Sequence, residues 1–202
     1  VDQELDGQPN GAANGDDSNA PTAPVLDDED GVQASALSLI ASTNATIPVV
    51  VSNTATPAAP ANLCGYLDFN GDGDFADAGE AASVVVASGA SGSSVSLDFG
   101  TVPASPARQT YARFRLGTAA CAPNGSAIDG EVEDYPVAIT AYDLGDLPNG
   151  AGAALYPTLR ANNGPRHEII DNLRLGAAVD PEGDGQPGVA ADGDDSAGQT
   201  PD

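Results

Sequence analysis

The chain has 202 residues, room for one sizeable domain with extensions, and its 30 acidic against 6 basic residues give a formal net charge of −24. That balance argues against nucleic acid and anionic membrane surfaces as partners, because both are polyanions, and it favours divalent cations. No apolar run approaches the roughly 20 residues that span a bilayer, and with no Trp, four Phe and five Tyr the core must be built from Val, Ala, Leu and Ile.

Residues 1–30 are rich in Asp, Asn, Gly and Pro and carry almost no apolar periodicity, so they read as an extended acidic linker. They also contain half of an internal repeat. Val1–Ser18 (VDQELDGQPNGAANGDDS) returns as Val179–Ser196 (VDPEGDGQPGVAADGDDS), 178 residues later and identical at thirteen of eighteen positions. A unit of about 178 residues repeated in tandem explains this, with a single domain bearing matching acidic tails as the alternative. The chain starts on Val1 and has no methionine, which reads as a piece of a longer or processed protein. The acidic run Asp27, Asp28, Glu29 and Asp30 is either a solvated stretch or a linker site for calcium.

From Gly31 onwards short apolar segments are separated by Gly, Pro, Asn and Ser clusters. Strands are expected near 32–41, 45–52, 62–69, 83–87, 94–99, 110–116 and 130–142. In the sixth, Arg113 and Arg115 face one way and Phe114 and Leu116 the other. Seven such strands predict an all-β fold, an antiparallel immunoglobulin-like β-sandwich over residues 31–142. Cys64 and Cys121 would bridge within it if the compartment is oxidising, and are buried free thiols otherwise.

Between the third and fourth expected strands lies LDFNGDGDFADAGE, residues 67–80. Oxygen-bearing side chains recur at Asp68, Asn70, Asp72 and Asp74, followed by Asp77 and Glu80. Ca²⁺ takes about 6–8 oxygens, and a D-x-N-x-D-G core supplies them in this order while Gly71 and Gly73 let the backbone curl. The match to a helix–loop–helix calcium loop is incomplete: the twelfth position is Gly79, the glutamate comes one place late, and no amphipathic helix flanks it. An acidic turn without an ion is the alternative. Calcium is favoured, because unscreened carboxylates this close repel one another.

A second acidic cluster, Asp129-Gly-Glu-Val-Glu-Asp-Tyr135, places Glu131 and Glu133 on one face of a strand and Val132 on the other. A second cation site, pairing with Arg113 and Arg115, and acid–base catalysis on a glycoside are the three readings open to these glutamates, catalysis ranking last for want of aromatic sugar platforms. Residues 143–202 are expected to be an ordered spacer leading into the next repeat, because a floppy linker would not carry Leu155, Tyr156, Leu159, Ile169, Ile170, Leu173 and Leu175. The single histidine, His167, sits in no metalloprotease or hydrolase motif, and no phosphate-binding glycine loop occurs.

Gly130-Glu-Val-Glu-Asp-Tyr135, with the strand at 111–116 and the 67–80 loop before it, resembles the GEVED domain of large secreted bacterial surface proteins. Asp143-Leu-Gly-Asp-Leu-Pro, Gly164-Pro-Arg-His167, Asp-Gly-Gln-Pro and Asp-Asp-Glu-Asp-Gly-Val look like the spacer between such domains in tandem arrays. The resemblance implies a β-sandwich module in a long, extracellular, repeat-built protein; it does not imply a catalytic activity. The cysteine pair departs from the family pattern. The chain therefore reads as a non-enzymatic, calcium-stabilised structural repeat of a fibre, stalk or surface filament, whose partners are neighbouring copies of itself. A calcium-dependent carbohydrate- or ligand-binding module of a surface adhesin is the rival, and its shortage of loop aromatics counts mildly against it.

Overall fold

A computed structural model describes residues 9–13, 29–150 and 156–193. Among the described residues nine strands follow one another: β1 (Ser38–Ile40), β2 (Asn44–Asn53), β3 (Ala61–Leu67), β4 (Ala81–Val86), β5 (Ala90–Thr101), β6 (Gln109–Gly117), β7 (Glu131–Thr140), β8 (Tyr142–Leu144) and β9 (Arg166–Glu168). Among the described residues helical structure is limited to two short 3₁₀ turns, Ala34–Leu37 and Arg160–Asn162. The fold is an all-β sandwich. One sheet has the order β1-β7-β6-β3-β4, and β2 pairs with β5 in a second.

The sequence dictates this layering through period-two burial. In β2 the residues Ala45, Ile47, Val49, Val51 and Asn53 are buried and every alternate one is exposed. In β6 Thr110, Ala112 and Phe114 point inward, and in β7 Tyr135, Val137 and Ile139 do so. The central strand β3 is buried on both faces from Leu63 to Leu67. Its inner face carries Gly65, where an added Cβ would stand 2.6 Å from Leu97 Cδ1 and 2.9 Å from Phe99 Cζ, both on β5. The opposing sheet thus closes directly onto the backbone of β3. Each Leu or Phe buried there contributes on the order of 1.5–3 kcal/mol.

Cys64, on the outer face of β3, is bridged to Cys121, with the Cα atoms 5.7 Å apart. The segment expected as a strand at 32–41 differs. Val32 makes a single bridge to Val49, a 3₁₀ turn follows, and only Ser38–Ile40 is extended. The Ala-Ser-Ala core of that segment has few β-branched side chains to hold a pleat.

Contacts divide the chain into two compact units: Val1–Ser38, Asn44–Gly100 and Gln109–Ala138 in one, and Leu39–Thr43, Thr101–Arg108 and Ile139–Asp202 in the other. The second unit has its own small antiparallel ladder, β8 with β9. Around it Val102 and Ser42–Thr43 exchange backbone hydrogen bonds, the Arg160 guanidinium lies 4.9 Å over the Tyr142 ring, and Thr158 is buried with its hydroxyl donating to the Leu147 carbonyl at 2.6 Å. Polar side chains and backbone hold this unit beside a few buried apolar residues, Ala41, Val102, Ile139 and Leu144. Of the apolar residues expected to anchor it, Leu173 and Leu175 are 70% and 93% exposed, and Tyr156 and Ile170 are also largely exposed.

Candidate functional site

The acidic loop leaves β3 at Leu67 and returns at Ala81. Its first carboxylate is fixed by the sandwich. Asp68 donates its backbone N–H to the Tyr111 carbonyl at 3.1 Å, and its own carbonyl accepts the buried Thr110 hydroxyl at 2.5 Å. The Asp68 side chain, 5% exposed with its residue, accepts Gly71 N–H at 2.6 Å through Oδ1 and Gly73 N–H at 3.0 Å through Oδ2. Gly73 has φ 91°, a backbone setting that a Cβ would penalise.

The remaining oxygens follow the same logic along the loop. Asn70 Oδ1 accepts Asp72 N–H at 2.9 Å, Asp72 Oδ1 accepts Asp74 N–H at 3.1 Å, and Asp74 Oδ1 accepts Ala76 N–H at 2.8 Å. The Asn70 amide donates to Asp72 Oδ2 at 3.0 Å and Asp77 Oδ2 at 2.5 Å. Glu80, only 1% exposed, accepts Phe69 N–H at 2.8 Å through Oε1 and Asp77 N–H at 3.3 Å through Oε2. Burial pushes its carboxyl above the usual range, with the neighbouring charges of Asp68 and Asp77 adding to the push. Phe75 lies against Tyr66 of β3, ring centroids 5.7 Å apart. The six expected side chains are therefore brought into one loop. They are not drawn around one point, and among the described residues no group of three or more His, Cys, Asp or Glu is placed to hold a metal.

The second cluster sits where β7 begins. Gly130 has φ 102°, and a Cβ there would overlap the Leu116 carbonyl oxygen, so only glycine lets the chain enter β7 at this angle. Glu133 then turns to the core side with Tyr135. It accepts Gly31 N–H at 3.3 Å and the Tyr135 hydroxyl at 3.0 Å, and that hydroxyl accepts Val32 N–H at 3.1 Å. Burial raises the Glu133 carboxyl, and Glu131 and Asp30 raise it further, so the structure brings the end of the acidic run, Asp30, near this cluster. Asp30 itself is exposed, while Asp27 and Asp28 lie outside the described residues. Tyr135, its hydroxyl proton held strongly by burial, packs edge-on against Phe114 with centroids 5.8 Å apart.

Arg113 does not pair with either glutamate. Its Nε and Nη2 grip Asp134 at 2.7 and 2.6 Å, directly across from it in the β6–β7 ladder, and this raises the guanidinium's proton affinity. Arg115 spends its donors on the Ala122, Asn124 and Gly125 carbonyls. The reason is the pleat: both arginines project from the outer face of β6, Glu133 from the inner face of β7. Extending the alternation one residue to Asp134 would have found the partner. Asp129, just before the strand, accepts Thr118 N–H at 2.8 Å and the Thr118 hydroxyl at 2.6 Å, which hold its carboxyl below the usual range.

A cleft of about 430 Å³ lies beside the disulfide, lined by Asn62, Arg115, Cys121, Ile128 and Val132 among others, none of them aromatic. Among the described residues no helix is long and apolar enough to cross a membrane. No curated protein and no solved structure matches the chain. The family model of the GEVED domain matches residues 62–138, from within β3 to within β7. This part of the chain is a GEVED domain.

Proposed function

We propose that the chain is a non-catalytic structural module of an extracellular fibre, stalk or surface filament, built from tandem copies of itself and stiffened by Ca²⁺. The observation that carries this reading is the return of Val1–Ser18 at Val179–Ser196. The Cys64–Cys121 bridge supports an oxidising compartment. Glu133, one of the pair of glutamates weighed for catalysis, is occupied by the Gly31 amide and the Tyr135 hydroxyl, which suits a role in holding the fold. The absence of aromatic side chains from the lining of the cleft favours this reading over sugar binding.

The donor set of the 67–80 loop suits a hard cation, since its side chains offer oxygens. Asp68 and Glu80 are buried and fixed by backbone donors, whereas Asp72, Asp74 and Asp77 are exposed and bonded only within the loop. An ion there would neutralise charge that the folded loop otherwise holds against its own repulsion. Electron microscopy of the native material tests the module reading. Filaments or stalks with one regular axial repeat are expected, and isolated particles with no axial order would remove it.

A further inference from the structure

Where both copies are described, at residues 9–13 and 187–191, they make the same turn. In the first, Ala13 N–H donates to the Asn10 carbonyl at 3.3 Å, and Ala13 has φ 52°. In the second, 178 positions on, Ala191 N–H donates to the Gly188 carbonyl at 3.3 Å, and Ala191 has φ 53°. A positive φ is uncommon for alanine. Its appearance at both equivalent positions means that the segment carries its shape with it.

The second copy is built into the second unit. Glu182 is 3% exposed; its N–H donates to the Tyr142 carbonyl at 2.9 Å and its Oε2 accepts Leu144 N–H at 2.8 Å. Asp184 Oδ1 accepts Arg160 N–H at 2.7 Å, and Gly193 N–H donates to Asp146 Oδ2 at 3.1 Å. At Gly185 a Cβ would stand 2.5 Å from the Thr158 carbonyl oxygen. Each of these four residues recurs in the first copy, as Glu4, Asp6, Gly15 and Gly7. The first copy also touches something the second does not: Gly11 offers its carbonyl to the Tyr111 hydroxyl at 3.1 Å, whereas the equivalent Val189 is 98% exposed.

We propose that the first copy, Val1–Gly15, is the closing segment for the second unit of a preceding copy of this chain, seated there as Val179–Gly193 is seated in its own. The Tyr111–Gly11 hydrogen bond then ties that segment to the copy it leads into, and Val189 is the place where Tyr111 of the following copy arrives. Each polar contact named above is one the first copy can reproduce with identical side chains or with backbone; Leu5 stands where the second copy has Gly183, whose added Cβ would meet the Ser42 carbonyl oxygen at 2.4 Å, so the backbone shifts locally there to admit it. This deepens the repeat-module reading and rests on it. Modules joined by flexible strings would still be modules, so failure here leaves that reading standing.

The test uses the full chain carrying Glu182→Ala, followed by amide hydrogen exchange with and without an added peptide of the sequence Val1–Ser18. Exchange at the Leu144 amide should rise about tenfold or more in the variant, because a hydrogen bond to a charged acceptor is lost. The peptide should restore protection, and a peptide with Glu4→Ala should not. Unchanged protection in the variant, restoration by both peptides, or restoration by neither overturns the proposal. Amides of the β3–β6 ladder report whether the variant is folded. If they too are unprotected, Asp184→Asn replaces it, with the Arg160 amide as reporter, an Asp6→Asn peptide as control, and the same outcomes deciding.

Discussion

The hydroxyl of Tyr135 donates to Oε2 of Glu133 at 3.0 Å while accepting the backbone N–H of Val32 at 3.1 Å, so one phenol oxygen joins the signature strand to the segment that precedes the sandwich. Tyr135→Phe keeps the ring against Phe114 and leaves a buried carboxylate and a buried N–H each short of a partner. A loss of about 1–3 kcal/mol in urea unfolding is expected. A loss under about 0.5 kcal/mol, within the range of ordinary surface changes, would show that water serves those groups equally well.

Gly65 lets Leu97 and Phe99 of the facing sheet reach the backbone of β3. Gly65→Ala should cost about 1–3 kcal/mol, because the new methyl meets two buried side chains at 2.6 and 2.9 Å. Gly65→Val should cost more. Denaturation midpoints for both variants check this, and equal midpoints for Ala and native chains would mean the sheets separate without strain.

Asp68 and Asp72 should separate the loop's own architecture from the proposed calcium binding. Asp68 binds Gly71 and Gly73 amides from a buried position, so Asp68→Ala should lower the thermal midpoint with calcium and with a chelator alike. Asp72 is exposed and makes only local bonds, so Asp72→Ala should lower it with calcium alone. Coincident melts of the native chain in calcium and in chelator would remove calcium from the account.

Reduction of the Cys64–Cys121 bridge reopens a loop of 57 residues. The chain-entropy model puts the loss at about 4 kcal/mol. Unfolding of the native chain with and without reductant measures it. A Cys64→Ala, Cys121→Ala double variant should resemble the reduced chain, and one as stable as the oxidised chain would contradict the expectation.

Acidity should stabilise the chelated protein before it destabilises it. The folded-state carboxyls of Glu133 and Glu80 are raised above 4.5, chiefly by burial. Their stabilising contribution is therefore full below 4.5 and lost as pH rises through the raised values. Asp129 is lowered from 3.8 by its Thr118 bonds, so its contribution holds above 3.8 and is lost as pH falls through the lowered value. Relief of the −24 charge acts with the glutamates. Urea midpoints should climb from neutral towards 4.5 and fall below 3.8; a steady fall from neutral would contradict the assigned directions.

The strands were legible wherever one face meets the core. Residues 44–53 and 109–114 alternate without interruption, and the Cys64–Cys121 bridge is the pairing expected for an oxidising compartment. What alternation cannot reveal is which polar group lies opposite. Asp134, in place of Glu131 or Glu133, meets Arg113 because cross-strand register is set by the whole ladder. The acidic loop was legible as a loop, but its carboxylates are taken up by amides two to five residues ahead, a competition that composition does not display. In the second unit the leucines promised order, and the order comes from Glu182, Asp184 and Thr158, whose partners lie far away in sequence.

The disulfide has a mechanical consequence. In a filament under tension the force entering at Cys64 crosses to Cys121 through the sulfur atoms, so the chain between them, a sequence separation of 57, is never pulled. Unravelling one module then releases roughly 200 Å less chain than its length allows, taking about 3.5 Å for each shielded residue. A stalk made of such modules would yield in short steps, with the Asp68–Glu80 loop and most of the facing sheets inside the shielded segment. Single-molecule stretching before and after reduction would read the difference directly as contour length.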